Sequence, residues 1–449
     1  MLRKTLPILP TLATFLTSVL FAGSTAASQE SGRLVVDVFE AEQEGYHTYR
    51  IPSLVTAADG SLITIVEGRR DRAHDPGGGH IDLVYKRSVD AGETWSPLML
   101  LDESEEGWGA SNPVTLLDRN NARLWVFFCR WMPDRGGRNA QPGERHNQLW
   151  ARYSDNHGAT WSDAIDLTGH ARDVDHWGAS VFGPGSGAQT QTGALVVPAY
   201  SSEPGGEPGQ TRGRTRVFRS DDGWETWLKS HAFVLRSEDG GETWERSPLI
   251  AAETSEPQVV QLASGELLLD ARQVQSDHRW QALSGDDGLS WTELRPGVEV
   301  TPIATGLAVW KPQQTGEERV LWTGPRGPGR NDLVLQVSRD GGRTFTEQHL
   351  IQEGRAAYSD MTIMDDGRVG LVFERGQREG VPGGTVPNAI AFTVLDAGQI
   401  SEESASEEEI RRRSTVERYI VPRECDIGWI GAHVRLGTLR INGCCSNYK

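Results

Sequence analysis

The chain is poor in cysteine and, beyond its first 21 residues, has no long apolar run. Four cysteines in 449 residues are too few for a disulfide scaffold. Cys129 ends the apolar run that starts at Leu124 and reads as a buried free thiol. Cys425, Cys444 and Cys445 cluster at the far end, their pairing open. A spanning helix needs about 20 apolar residues, so no membrane span is expected once the start of the chain is passed. Metal-binding patterns are missing too. There is no His-Glu-x-x-His and no Cys-x-x-Cys, so neither a metal nor another cofactor is expected. Gly77-Gly78-Gly79 lacks the Lys-Ser/Thr of a phosphate loop, and there is no Gly-x-Ser-x-Gly nucleophile elbow. Positive charge is also short. A formal net charge of −17 argues against nucleic acid or an anionic membrane as partner. A small anionic substrate stays open, because salt confines the reach of exposed charges to about 8 Å.

The chain starts Met1-Leu2-Arg3-Lys4, runs mostly apolar from Leu6 to Phe21, and leaves through Ala26-Ala27-Ser28. A basic start, a short apolar stretch and a small-residue exit predict a secretory signal peptide over residues 1–27. The alternative is a membrane anchor, against which Pro7, Pro10 and the alanine exit weigh. A secreted or periplasmic protein is expected.

What the sequence holds in abundance is a turn. Ser88-Val89-Asp90-Ala91-Gly92-Glu93-Thr94-Trp95 and Ser237-Glu238-Asp239-Gly240-Gly241-Glu242-Thr243-Trp244 both read S-x-D-x-G-x-T-W. Altered copies begin at Ser154, Ser220, Ser284 and Ser338. Most neighbours lie roughly 50–65 residues apart, the mark of repeated supersecondary units. Ser and Asp side chains can bond the turn's amides, Gly supplies a positive φ, and the Trp can pack beside the next sheet. Between copies lie short apolar or alternating stretches such as Leu62 to Val66, Leu124 to Phe128 and Val369 to Phe373, bounded by Asp-Gly or Gly-Gly pairs. That is strand patterning, with little helical period before residue 400. Each unit has room for about four strands, the content of a propeller blade. A solenoid is the competing repeat architecture. Residues 34–38 and 389–395 could share one sheet and close the ring. The remainder, residues 398–449, forms a C-terminal extension whose acidic-then-basic run carries no function we can assign.

Upstream of the first turn stands Tyr49-Arg50-Ile51-Pro52-Ser53. An Arg-Ile-Pro ahead of several such turns resembles the bacterial exo-sialidase family with Asp-box repeats, over roughly residues 34 to 395. The resemblance implies an all-β, six-bladed β-propeller of four-stranded antiparallel blades, here residues 33–397. It also implies hydrolysis of terminal α-linked sialic acids from glycoconjugates, with retention, through a tyrosyl-enzyme intermediate.

Position by position, the resemblance implies a carboxylate clamp of Arg50, Arg272 and Arg330. Guanidinium groups suit a carboxylate through their fork geometry and permanent charge. Arg326 is a rival to Arg330 in the same loop. Tyr358 matches the nucleophile and Glu256 the carboxylate that activates it. A phenol avoids the like-charge repulsion a carboxylate nucleophile would meet at a carbon that already bears a carboxylate; sialidases are a known tyrosine exception among glycosidases. Asp75 matches the acid/base, with Asp71 and Asp82 as rivals. Asp71 reads as an ion-pair partner of the neighbouring arginines. Glu374 matches the carboxylate that orients Arg50, and Asn112 either contacts substrate or caps a turn. Taken singly, each arginine could be a surface residue, Tyr358 a packed aromatic and Glu256 a surface carboxylate; the set weighs against that. Trp108, Trp131 and Trp177 read as packing residues or pocket walls. Two further readings remain: a propeller that binds sialylated glycans without turnover, and a trans- or intramolecular trans-sialidase.

Overall fold

The structure, a computed structural model, describes residues 27–401 except 31–32, 106, 134–141, 205–215, 220–224, 251–252, 274–275, 301–302, 314 and 379–385. The predicted signal segment up to residue 26, the extension from 402 with its three cysteines, and most of the turn copy at Ser220 lie outside those residues. The described chain is all-β. Its helices are the single turns Thr168–Ala171 and Ala397–Ser401. No helix among the described residues is long and apolar enough to cross a membrane.

Antiparallel meanders follow one another along the chain. Thr48–Thr56, Leu62–Arg69, Ile81–Ser88 and Met99–Asp102 pair in sequence. Gly109–Asp118, Arg123–Trp131, Asn147–Ser154 and Ile165–Asp166 repeat the pattern. Leu195–Pro204 is flanked by Ser180–Phe182 and Glu225–Ser237, and the latter pairs with Glu245–Arg246. Next come Ser255–Gln261, Leu267–Arg272, His278–Ser284 and Arg295–Glu299. Gly306–Trp310, Arg319–Pro325 and Asn331–Ser338 pair onward into the first half of Glu347–Ile363. The second half of that long strand pairs with Val369–Arg375, then Ala389–Leu395, then Arg33–Glu40. The last sheet is therefore completed by the start of the chain, with Val35 opposite Thr393 and Val36 opposite Phe392, as the sequence suggested.

The apolar runs explain how the sheets stack. A strand covered on both faces reads as a near-continuous apolar run, not an alternating one. Leu62–Arg69 is such a strand, buried throughout. Its Leu62 and Val66 pack with Phe39, Val372 and Phe392 of the last sheet. Its Ile63 and Ile65 point the other way, to Leu124, Val126 and Phe128 of the second. Leu267 and Leu269 against Leu268 divide in the same manner between two cores, as do Leu371 and Val372. Each fully buried aliphatic side chain contributes about 1.5–3 kcal/mol. Ile400 joins the core of Leu371 and Leu395, so packing runs slightly past residue 397. Cys129 is a buried free thiol.

The S-x-D-x-G-x-T-W turns share one hydrogen-bond network. At the first copy, Gly92 N donates to Ser88 Oγ at 2.8 Å and Thr94 N to Asp90 Oδ1 at 2.9 Å. The altered copies at Ser154 and Ser284 keep it: Asn156 accepts from Thr160 N at 2.9 Å, and Asp286 from Ser290 N at 2.8 Å. Asn for Asp and Ser for Thr preserve the needed acceptor and donor. The glycine has a second reason. Gly92 has φ +88°, and a Cβ there would lie 2.0 Å from Phe392; Trp95 meets the same ring edge-on at 5.2 Å. At Gly241 a Cβ would lie 2.3 Å from Trp125 of the preceding meander. Register places the turns at one end of the sheets: Ser88 lies opposite Leu62, itself opposite Thr56, whereas Arg50 lies opposite Glu67 at the other end.

Candidate active site

At that other end the first strands of several meanders carry bulges, and four of the residues singled out in the sequence, Arg50, Asn112, Glu256 and Tyr358, sit on them. Register slips occur between Arg50 and Ser53, Ser111 and Val114, Ser255 and Gln258, and Ala356 and Ser359. Ile51 (φ +57°), Asn112 (+54°) and Glu256 (+42°) adopt left-handed backbone there. For a β-branched residue such as Ile51 this is a genuine outlier, held by its surroundings. Bulges re-aim side chains; here Tyr358 meets Glu256 and Arg50 stands against the Tyr358 ring.

Arg50 is buried and forked onto Glu374: Nε to Oε1 at 2.9 Å and Nη2 to Oε2 at 3.1 Å. Glu374 Oε1 also accepts Ile51 N at 3.0 Å, which holds the left-handed residue in place. Burial alone would lower the Arg50 pKa, but Glu374 more than offsets it. Arg272 Nη1 donates to Glu256 Oε2 at 2.6 Å and to Tyr358 Oη at 3.2 Å. Tyr358 in turn donates to Glu256 Oε1 at 2.9 Å. The guanidinium carbons of Arg50 and Arg330 each stand 5.3 Å from the Tyr358 ring centroid. Arg326 does not compete for this place, because it pairs with Asp332 at 2.9 Å.

Three positive charges thus surround a phenol whose proton already points at a carboxylate. Burial and the Glu256 charge push the Tyr358 pKa up to about 12, with the arginines opposing. Burial would raise Glu256, yet Arg272, the Tyr358 hydrogen bond and Arg330 hold it below the usual carboxylate range. The group is therefore an ionised acceptor beside a neutral phenol.

Asp75 faces this group from the loop after Leu62–Arg69. Its side chain is 86% exposed, 3.3 Å from Arg69 Nη1 and 4.0 Å from Arg50 Nη1. Crowding works to raise its pKa, but Arg69, Arg50 and Arg330 leave it lowered. Asp82 is occupied elsewhere, accepting from Tyr46 Oη at 2.9 Å and Arg70 Nε at 2.6 Å. Asp71 is exposed and makes no ion pair within 4 Å among the described residues. The expectation of an Asp71 ion pair is corrected: the strand residue Asp82 reaches Arg70, whereas Asp71 lies out on the loop. Asn112 spends its amide nitrogen on Phe182 O at 3.1 Å, and its backbone N–H on Glu67 Oε1 at 3.1 Å. Trp131 is buried and donates to Ser111 Oγ at 2.9 Å, a packing role.

Beneath these residues lies a shell of buried charges that no sequence motif marks. Fully buried Arg69 joins Glu67 Oε2 (2.6 Å) to Asp75. Fully buried Arg279 pairs with Asp270 at 2.7 Å and donates to the Glu256 carbonyl at 3.3 Å. Charged residues inside an apolar strand pattern were the available signal, since lone buried charges are costly and are kept in pairs.

Fold and site together define an all-β repeat protein with an arginine cluster around a tyrosine–carboxylate pair. The family described as "BNR repeat-like domain" matches residues 60–371. A sialidase of Bacteroides fragilis is 28% identical over 365 residues, covering 76% of this chain and 62% of that protein. An exo-alpha-sialidase of Aspergillus fumigatus is 26% identical over 358 residues, covering 74% of this chain and 79% of that protein. Among solved structures, the Hadza microbial sialidase Hz136 aligns with a TM-score of 0.70 at 27% identity, over 82% of this chain and 69% of that one. The chain belongs to the BNR-repeat sialidase family.

Proposed function

We propose that the protein is an exo-α-sialidase acting on terminal α-linked sialic acids of glycoconjugates. The observation that carries this reading is the Tyr358–Glu256 hydrogen bond of 2.9 Å inside the cluster of Arg50, Arg272 and Arg330. The arginines take the carboxylate of the sugar, which brings the anomeric carbon over the Tyr358 hydroxyl. The phenol oxygen attacks that carbon while its proton passes to Glu256. The glycosidic bond breaks, and Asp75 gives its proton to the leaving oxygen. In the second half Asp75 takes a proton from water, whose oxygen attacks the same carbon. The Tyr358 oxygen leaves and recovers its proton from Glu256. Two inversions give net retention. Asp75 is held ionised in the free protein; a bound substrate carboxylate offsets the arginines and covers the loop, which raises its pKa toward that of a working acid.

The same reading makes the meanders the six blades of a β-propeller closed by residues 33–40, and residues 1–27 an export signal leaving a secreted or periplasmic enzyme. Asn112 offers its carboxamide oxygen, which has no hydrogen-bond partner among the described residues, to a polar substituent of the sugar. The test is release of a fluorophore from an α-sialoside by wild type, Tyr358→Phe and Asp75→Ala, with NMR of the first-formed sugar. α-Sialic acid as first product supports hydrolysis with retention. An anhydro sugar assigns the intramolecular trans-sialidase, and sialoside binding without turnover by wild type assigns the lectin.

A further inference from the structure

The strand bearing Arg50 and the strand bearing Tyr358 belong to different meanders and share no backbone pairing. The outer edge of Thr48–Thr56 therefore presents N–H groups that need partners from elsewhere. Three of them are met by side chains of the last meander. Ile51 N reaches Glu374 at 3.0 Å, Leu54 N reaches Asp360 Oδ2 at 2.8 Å, and Thr56 N reaches Thr362 Oγ1 at 3.1 Å. The middle contact differs from its neighbours. Asp360 is fully buried, lies two residues beyond Tyr358, and takes a second donor, Ser186 Oγ at 2.9 Å, from a third meander. Leu54, Ser186 and Thr362 line a cavity of about 370 Å³. Asp360 thus joins three strands between the site and that open space. On its other side the Tyr358 strand is fastened by Ser359, which accepts from Gly306 N at 3.3 Å and donates to Thr323 O at 3.1 Å.

We propose that Asp360 is a positioning residue for Tyr358, setting the distance between the phenol and the Arg50 side of the site by tying strand Glu347–Ile363 to strand Thr48–Thr56. The inference rests on Tyr358 being the nucleophile. A tie of this kind acts on the attack geometry more than on the grip on the sugar, because Arg50 keeps Glu374 and Arg272 keeps Glu256 as supports. A shift of about 1 Å in a reacting group costs up to about a hundredfold in rate.

The experiment is steady-state kinetics on a fluorogenic α-sialoside for wild type, Tyr358→Phe, Asp360→Ala, Asp360→Asn and Ser186→Ala, with thermal melting of each. Asp360→Ala is expected to lower kcat about ten- to a hundredfold while KM stays within about threefold. Asp360→Asn keeps a carbonyl oxygen for both donors and is expected to recover most of kcat. Ser186→Ala removes one donor and should give a smaller loss of the same kind; if Asp360→Ala fails to fold, that variant and Asp360→Asn decide. Wild-type kcat in Asp360→Ala or in Ser186→Ala, a loss confined to KM, or an asparagine no better than alanine overturns the inference. Full activity in Tyr358→Phe overturns the reading of the site itself, whatever Asp360 does.

Discussion

Tyr358 donates its hydroxyl proton to Glu256 across 2.9 Å, although the two residues stand 102 positions apart in the chain. The contact exists because two bulges, one between Ser255 and Gln258 and one between Ala356 and Ser359, turn both residues to the same point. Arg272 bonds both partners at 2.6 and 3.2 Å, so the pair is braced as a triangle.

Glu374→Ala should be the most damaging single change near the site. It leaves buried Arg50 with only the exposed Asp75 at 4.0 Å among the described residues, where breaking comparable buried pairs costs about 3–5 kcal/mol, and it frees Ile51 N as well. Chemical denaturation should register the loss, and turnover should fall with it. A variant as stable as wild type would contradict the assigned support.

The pH dependence of kcat/KM should be set by Asp75 on its alkaline side. Asp75 must carry a proton to act as acid, yet Arg69, Arg50 and Arg330 hold its pKa below the ordinary value. The reactive fraction of free enzyme therefore falls as pH rises, and the optimum lies on the acidic side. Removing the nearest guanidinium in Arg69→Gln raises the Asp75 pKa and should move the alkaline limb to higher pH. A limb that stays put or moves down would contradict this assignment.

Asp360 should also mark the stability curve. Burial raises its pKa to about 7, against the lowering effect of the Leu54, Ser186 and Met361 hydrogen bonds; the unfolded value is about 3.9. The folded state therefore binds the extra proton, and the sign follows from linkage. This stabilisation is full below about pH 4 and is lost as pH rises through about 7. Asp360→Asn should flatten that part of the melting-temperature profile, and an unchanged slope would count against it.

The turns give a prediction of stability alone. Gly92 and Gly45 share φ +88°, but a Cβ at Gly92 would meet Phe392 at 2.0 Å and one at Gly45 would meet nothing within 4 Å. Gly45→Ala carries only the backbone cost, about 1 kcal/mol, whereas Gly92→Ala adds overlap with an aromatic core side chain. Denaturant midpoints should separate the two variants clearly. Equal losses would mean that the turn does not dock on the last sheet.

Much of this molecule was legible because its signals are local. Serine, aspartate and glycine at fixed offsets make the turns, and short apolar runs between them make strands covered on both faces. Site residues were legible only through a resemblance, since nothing in Ser255-Glu256-Pro257 or Ala357-Tyr358-Ser359 announces a bulge. Arg69, Glu67, Arg279 and Asp360 were not found. Their importance comes from contacts such as Leu54 N to Asp360, 306 positions apart, and no local pattern encodes those. Asp71 follows the same logic: sequence proximity to three arginines does not specify which residue faces them.

The most direct measurement is mass mapping of the protein after reaction with a 3-fluorosialosyl fluoride, which forms the covalent intermediate faster than water removes it. A sialosyl adduct is expected on the peptide containing Tyr358, absent in Tyr358→Phe. Turnover of an α-sialoside with no adduct, or an adduct on any other residue, would contradict the tyrosine mechanism.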